Sequence, residues 1–243
     1  MRIDGVDSLR YGVQQWTVEP DYCSVKNSSE WIVGSSTPLM LKGVVGFKKL
    51  KVSVMIRGNT RQEIWERSSD FIASLIQPRT FKFDGFDHSF YLYLNNASQA
   101  EKSLKKWHKA TLELVGYEYG DEVKVKVSDI PIGGQELLYQ NAGNLETPVI
   151  IEFVPAIGVE ALTINGFGRN AYTGKEEPYI INNLTKGQKV KIDGESGLVT
   201  EAGKNKFADI YFWQLPTFLP GLNKVTVDKA LESFTVTYKP RYF

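Results

Sequence analysis

The sequence is poor in the residues that build disulfides and transition-metal sites. It has one cysteine, Cys23, and two histidines, His88 and His108, among 243 residues. A single cysteine excludes an internal disulfide framework and any site made of cysteines alone. The two histidines have no cysteine or carboxylate at ligand spacing. We therefore expect no metal site and no cofactor.

The sequence also lacks a charge surplus and a long apolar run. Lys and Arg number 29 against 28 Asp and Glu, which gives a net charge of +1. Nucleic-acid binders need a clustered basic surplus to neutralise phosphates. No run approaches the roughly 20 apolar residues of a membrane-spanning helix, and residues 1–5 lack the apolar core of a signal peptide. We expect neither specific nucleic-acid binding nor membrane insertion.

What the sequence does contain indicates β-structure. Aromatic residues make up 12% of the chain, and 21 glycines punctuate many short β-branched runs. Such runs, bounded by turn residues, are typical of strands. In the second half the turn signals recur at short intervals, as in a β-sandwich. We predict a mainly β fold, with strands that include residues 52–56, 90–94, 149–153, 162–166, 179–181, 189–193 and 234–238.

One helix is predicted over residues 60–76. Asn59 or Thr60 can cap its start, and Glu63 follows Thr60 at the capping-box spacing. Gln77-Pro78 ends it, because proline cannot continue a helix. The helix should pack on a sheet through one broad apolar stripe, made of Ile64, Trp65, Phe71, Ile72 and Leu75.

The domain boundary is predicted within residues 120–145. Turn formers are dense from Gly133 to Asn144, and Thr147-Pro148 precedes a new strand. We place the division at 135/136. Residues 1–135 then form a β-sandwich-like domain with the helix and an extension, and residues 136–243 form a second β-sandwich.

No motif for catalysis is convincing. Residues 166–171 fit the G-x-G-x-x-A pattern of dinucleotide sites, but that motif requires a helix at the turn, and Gly174 follows too soon. The acidic pairs at 84–87 and 193–195 are better interpreted as hairpin turns. No nucleophile elbow is present, and no histidine pairs convincingly with Cys23. We expect no catalytic residues and no enzyme, although a hydrolase with an unmarked site stays a third hypothesis.

The segment 22–40 is an extension between predicted strands. It holds Trp31, Ile32 and other apolar residues among Ser, Asn and Gly. Such residues are either core or an exposed patch meant for another chain. Periodicity does not decide between the two.

Several short sequence motifs, taken in order, resemble those of the distal tail (Dit) protein family of long-tailed bacteriophages. Each motif is weak singly, and their order along nearly the whole chain gives the match its value. The motifs lie at residues 3–5, 11–12, 141–144, 147–151, 162–166, 183–187, 190–193, 219–225 and 238–242.

The resemblance implies a virion structural protein rather than an enzyme. Members of the family form a hexameric ring that joins the tail tube to the tip, baseplate or receptor-binding proteins. Their N-terminal domain makes the ring, and their C-terminal sandwich looks like a galectin. The expected location is the distal end of the tail, after synthesis in the host cytoplasm. Since a closed ring uses two different patches per subunit, Tyr22, Trp31 and Ile32 are candidate inter-subunit contacts.

The alternative function is a lectin-like module that binds host-surface saccharide through the second sandwich. Sugar sites need an aromatic platform beside fixed polar groups. Trp213 with Gln214, or Tyr179 with Asn182, could supply one, but a core tryptophan is the commoner outcome in so apolar a stretch.

Overall fold

The chain forms two compact units in a computed structural model. The model describes residues 1–26, 29–30, 34, 36–37, 39–40, 43–99, 106–169, 175–212 and 214–243. The first unit is Met1–Tyr119 with Phe243, and the second is Gly120–Tyr242. This division precedes the 135/136 boundary placed by sequence, because the strand Val123–Ile130 pairs along Leu231–Tyr238 of the second unit.

The first unit is built on one antiparallel sheet and one helix. Its sheet has the order β2-β1-β9-β10-β11-β8-β3, and two short ribbons, β4–β7 and β5–β6, lie outside it. A 3₁₀ turn spans Ser8–Tyr11. The elements are β1 (Arg2–Ile3), β2 (Val6–Asp7), β3 (Val13–Pro20), β4 (Val25–Lys26), β5 (Ser29–Glu30), β6 (Leu39–Met40), β7 (Val44–Val45), β8 (Lys48–Arg57), α1 (Arg61–Ser74), β9 (Arg79–Lys82), β10 (Ser89–Gln99) and β11 (Trp107–Tyr119).

Alternation along the central strands of this sheet creates one apolar face. In β8, residues Leu50, Val52, Val54 and Ile56 are buried, because side chains at every second position point to the same side. Phe71 of α1 belongs to the same cluster. The two-layer arrangement expected of the first domain is thus made here from one sheet and the helix.

Helix α1 confirms the predicted helix and most of its stripe. Thr60 Oγ1 accepts a hydrogen bond from the Glu63 N–H at 3.1 Å, and Glu63 Oε2 accepts one from the Asn59 N–H at 2.7 Å. These two bonds satisfy amide groups that a helix start leaves unpaired. Ile64 is buried, but Trp65 is 60% exposed, so its place in the stripe was wrong. Successive helical positions are about 100° apart, which carries Trp65 onto the flank.

The second unit is a two-sheet sandwich. One sheet has the order β12-β23-β14-β17-β18-β19, with β21 on β14, and the other has the order β13-β22-β15-β16-β20. A 3₁₀ turn spans Phe207–Asp209. The strands are β12 (Val123–Ile130), β13 (Gln135–Asn141), β14 (Thr147–Pro155), β15 (Val159–Asn165), β16 (Tyr179–Leu184), β17 (Val190–Asp193), β18 (Val199–Glu201), β19 (Lys204–Asn205), β20 (Ile210–Tyr211), β21 (Thr217–Phe218), β22 (Gly221–Val227), β23 (Leu231–Tyr238) and β24 (Arg241–Tyr242).

Both sheets contribute to the core of the second unit. Ile151 and Val236 come from one sheet, and Leu162 and Val225 from the other, and all four are fully buried in one cluster. Phe218 lies among other rings, with its centroid 5.4 Å from that of Phe167. The mainly β prediction is confirmed, and every predicted strand segment overlaps an observed strand.

A buried lysine ties three chain segments together in this unit. Lys206 Nζ lies 2.8 Å from Glu201 Oε2, 3.2 Å from Asp209 Oδ2 and 2.8 Å from the Asn183 carbonyl oxygen. Burial favours the neutral carboxyl of Glu201, but hydrogen bonds from Lys206 and the Thr185 N–H outweigh burial and lower its pKa. The clamp holds the β18–β19 hairpin against β16.

Candidate interaction surfaces

The described residues of the extension predicted at 22–40 continue one long antiparallel hairpin. Its base is β3 paired with β8. The pairing continues through Asp21 N–H to Lys49 O at 2.8 Å and Gly46 N–H to Ser24 O at 2.7 Å, then through β4–β7 and β5–β6. We call residues 21–47 the arm. Antiparallel register is thus kept, with one-residue shifts, from the sheet into the arm.

Four large apolar side chains of the arm are exposed, although Cys23 in the same segment is buried. Val25, Val44 and Val45 lie on the β4–β7 ribbon, and Phe47 at its base is 58% exposed. A two-stranded ribbon with exposed apolar residues buries too little surface to be stable alone in water. The arm therefore has the properties of a segment that is completed by another surface.

The three predicted contact residues all belong to the arm. Tyr22 is 80% exposed, with its ring centroid 6.3 Å from that of Phe243. Trp31 and Ile32 lie outside the residues that the structure describes. Of the three, the described residue Tyr22 presents its side chain to solvent. Its role in subunit contact stays a prediction.

A second apolar surface lies at the edge strand of the same sheet. The register of β3 on β8 shifts between Gln15 and Thr17, so Trp16 has no direct partner on β8. Such a bulge re-aims a side chain, and Trp16 is 61% exposed. Leu9 and Tyr11, just before β3, are exposed as well. We call Leu9, Tyr11 and Trp16 the edge patch. The edge patch was not predicted from the sequence, although Trp16 among Gln14, Gln15 and Thr17 breaks the apolar alternation.

Charged groups fix the base of the arm. Lys48 is buried, and its ammonium contacts the Glu118 carboxylate and the Phe243 carbonyl oxygen, the latter at 2.9 Å. Glu118 Oε1 lies 2.7 Å from His88 Nδ1. Burial raises the pKa of the neighbouring Cys23 thiol, and the positive charge of Lys48 offsets this rise only in part. A thiol with a raised pKa is the opposite of an activated nucleophile.

The face of the sheet opposite its apolar side is polar and aromatic. Lys51 of β8 lies between Glu19 of β3 and Glu113 of β11 in the strand register, an alternation of sign that stabilises neighbouring strands. These residues line an open depression of about 470 Å³. Tyr91 lies nearby on β10 and pairs with Tyr117, with ring centroids 5.5 Å apart. An open charged depression suits a protein surface better than an enclosed small molecule.

The acidic pairs have structural roles. Asp193 Oδ1 accepts hydrogen bonds from the N–H groups of Glu195 and Ser196 at 3.0 and 3.1 Å. Burial would raise the pKa of Asp193, but these bonds and Lys191 lower it. Gly85 lies in the turn between β9 and β10 with φ 88°. The interpretation of both segments as turns is confirmed.

Tyr179, the described aromatic residue of the two candidate sugar sites, does not present an exposed ring. Tyr179 is 2% exposed, and its hydroxyl donates toward the carbonyl oxygens of Phe167 and Gln214, at 3.0 and 2.8 Å. Burial, with the Glu146 charge, raises its pKa. Trp213 lies outside the described residues. The pairing of Tyr179 with Asn182 as a stacking site was wrong because the ring belongs to the core.

Among the described residues, no cluster of three or more His, Cys, Asp or Glu side chains could hold a metal ion. No helix in this part of the chain is long and apolar enough to cross a membrane.

Comparison with known proteins agrees with this architecture. Residues 142–242 match the family described as siphovirus-type tail component, C-terminal domain. No curated protein matches the chain.

Solved structures share the fold at low sequence identity. The crystal structure of the SPP1 Dit protein, described as a paradigm of the hub adsorption apparatus in phages that infect Gram-positive bacteria, matches with a TM-score of 0.74 and 13% identity, over 99% of this chain and 98% of that chain. A chain of the activated phage P2 baseplate with Ca matches with a TM-score of 0.51 and 9% identity, over 94% of this chain and 90% of that chain. The second unit therefore matches the siphovirus-type tail component domain, and the chain shares the fold of the SPP1 Dit protein along its length.

Proposed function

We propose that this protein is a structural subunit of the distal tail that assembles into a hexameric ring and acts as a hub between the tail tube and the baseplate or receptor-binding proteins. The match of residues 142–242 to a siphovirus-type tail component domain supports a place in the virion tail, which we propose is reached after synthesis in the host cytoplasm. The likeness to the SPP1 Dit protein, a component of a hub adsorption apparatus, supports the hub role. The role is one of binding, without catalysis.

The single observation that carries the ring is the arm. A closed ring of identical subunits needs a donor patch and a different acceptor patch on every copy. The arm supplies exposed apolar residues on a segment that leaves its own sheet, and the edge patch supplies a separate apolar surface. We propose that the arm of one subunit packs on the edge patch of the next, with Tyr22, Trp31 and Ile32 among its contacts.

The test is the oligomeric state of the purified full chain. We expect light scattering to give the mass of six subunits and negative-stain images to show six-fold rings. The double variant Val44→Ser, Phe47→Ser in the arm, or Trp16→Ala in the edge patch, should abolish rings. Tyr211→Ser, an exposed residue of the second unit, is the matched control. Rings that persist in both arm and patch variants would exclude this contact.

Mixing the variants separates donor from acceptor. An arm variant keeps an intact edge patch, and a patch variant keeps an intact arm. A mixture can therefore form one intact contact per pair, so heterodimers should appear that neither variant forms alone. A mixture that stays monomeric would show that the arm and the edge patch do not meet. The variant Trp31→Ala, Ile32→Ala extends the same test to the other two predicted contact residues.

The lectin-like alternative has no described feature in its favour. A glycan-array signal from the wild-type chain, lost in Trp213→Ala, would support it. Rings without a glycan signal would support the hub.

A further inference from the structure

The three large sheets end in edge strands of unequal design. A free edge strand exposes unpaired backbone groups and invites pairing with other chains, so proteins blunt such edges with bulges, prolines or lysines. β3 has 8 residues, with a bulge at Trp16 and Pro20 at its end. β12 also has 8 residues, and it exposes Lys124 and Lys126.

The third long edge strand, β13, carries none of these devices. Its seven residues, Gln-Glu-Leu-Leu-Tyr-Gln-Asn, contain no lysine, arginine or proline. Its register on β22 runs without a shift from Gln135↔Val227 to Asn141↔Gly221. On its other side, no strand of the described chain pairs with it. This edge is continuous and carries no bulge, proline or lysine.

The solvent face of this edge is apolar at its centre. Leu138 is 61% exposed and Leu222 of the neighbouring strand is 67% exposed. The one charge on β13, Glu136, already pairs with Lys224 at 2.5 Å. A partner strand therefore meets backbone groups and leucine side chains without having to neutralise a free charge.

We propose that β13 pairs antiparallel with β13 of a second copy around a two-fold axis at Leu138. A second copy is the partner because the strand is complementary to itself. Leu138 is the middle residue, so this register alone pairs all seven positions. It sets Glu136 opposite Gln140 and Gln135 opposite Asn141, and no like charges face each other. Leu138 meets its symmetry mate on the solvent face.

The geometry of β13 is compatible with this pairing. Tyr238 donates a hydrogen bond to the Gln140 carbonyl oxygen at 2.8 Å, and Asn141 Nδ2 donates to Thr147 Oγ1 at 3.2 Å. These bonds anchor the C-terminal end of the strand to the sandwich. A preordered strand loses little conformational entropy when a second strand joins it.

A two-fold contact does not compete with the proposed ring. It is isologous, whereas ring contacts are head-to-tail. The β13 contact therefore joins two free subunits or two copies from different rings. Its test does not depend on whether the arm makes the ring contact.

Cysteine cross-linking tests the axis directly. In Leu138→Cys the two new thiols face each other, with Cα atoms about 4.5–5.5 Å apart, which suits a disulfide. In Gln140→Cys the symmetry-related thiols are displaced by four residues, about 14 Å along the strand. Under mild oxidation we expect covalent dimers from Leu138→Cys and few from Gln140→Cys or from the wild type, whose Cys23 is buried. Equal cross-linking at 138 and 140 would overturn the proposal.

Sedimentation of Leu138→Lys gives a second readout. Two lysines at the axis would repel each other, so the dissociation constant of the two-fold contact should rise at least about tenfold. Tyr211→Lys, on the opposite edge strand of the same sheet, is the matched control. Circular dichroism checks that both variants fold. If Leu138→Lys associates as the wild type does, the contact does not exist, and a strand from another tail protein becomes the next occupant to test.

Discussion

The two units cover the apolar face of their sheets in different ways. In the second unit two sheets cover each other, and rings such as Phe218 lie fully inside. In the first unit the apolar face is covered with the help of a single helix, and the apolar arm and edge patch remain in solvent. The sandwich closes its own core and exposes Leu138 and Leu222 only on its surface, whereas the first unit exposes apolar residues on a segment that leaves its sheet. This difference predicts unequal costs for substitutions in the two units.

The largest effect is expected at the centre of the sandwich. Phe218→Ala removes a fully buried ring and leaves a cavity between the two packed sheets. Because the sheets can close such a cavity only in part, the free energy of unfolding should fall by about 3–5 kcal/mol. Phe86→Ala in the first unit removes a ring that is only partly buried and should cost less. Urea denaturation measures both. A larger loss for Phe86→Ala would reverse the comparison.

The next effect concerns the buried lysine. Lys206→Met leaves Glu201 without its partner, so we expect a loss of about 2–3 kcal/mol at pH 7, below the range for a fully buried pair. The pKa of Glu201 is lowered in the folded chain, so its contribution is present above the ordinary value of 4.5 and is lost as the pH falls through the folded pKa.

The pH dependence supplies the control for this variant. The difference between wild type and Lys206→Met should shrink as the pH falls below 4.5, because Glu201 then becomes neutral in both. Thermal unfolding between about pH 7 and pH 3 measures the trend. A difference independent of pH would mean that Lys206 acts through packing alone.

A smaller effect is expected at the start of α1. Thr60→Ala removes the side-chain cap and should lower the free energy of unfolding by about 1 kcal/mol. Thr60→Ser keeps the hydroxyl and should restore most of the loss. If serine does no better than alanine, the hydroxyl does not stabilise the helix start.

The smallest effect is expected on the flank of the same helix. Trp65→Ala should change stability by no more than about 0.5 kcal/mol, since the exposed ring contributes little to the core. Ile64→Ala, one residue away and buried, should cost about 2–5 kcal/mol. Similar losses for both would place Trp65 in the core and revive the stripe predicted from sequence.

Features that depend on neighbouring residues in the chain, such as helix caps and turns, were predictable from the sequence. Thr60 and Glu63 predicted the helix start because capping depends on neighbours in the chain, and Asp193 predicted its turn for the same reason. Trp65 was misplaced because five apolar residues in one helix allow more than one stripe. The edge patch was missed, since a bulge at Trp16 depends on the register of β3 against β8.

The sequence by itself determined the β class, helix α1 and the resemblance to the distal tail proteins, because turn chemistry, alternation and ordered motifs depend on short stretches of chain. Only the tertiary structure decided which strands are edges, that Tyr179 is core and that the arm continues the β3–β8 hairpin. Those properties depend on which distant segments pair, and long-range pairing leaves no mark in any single stretch of sequence.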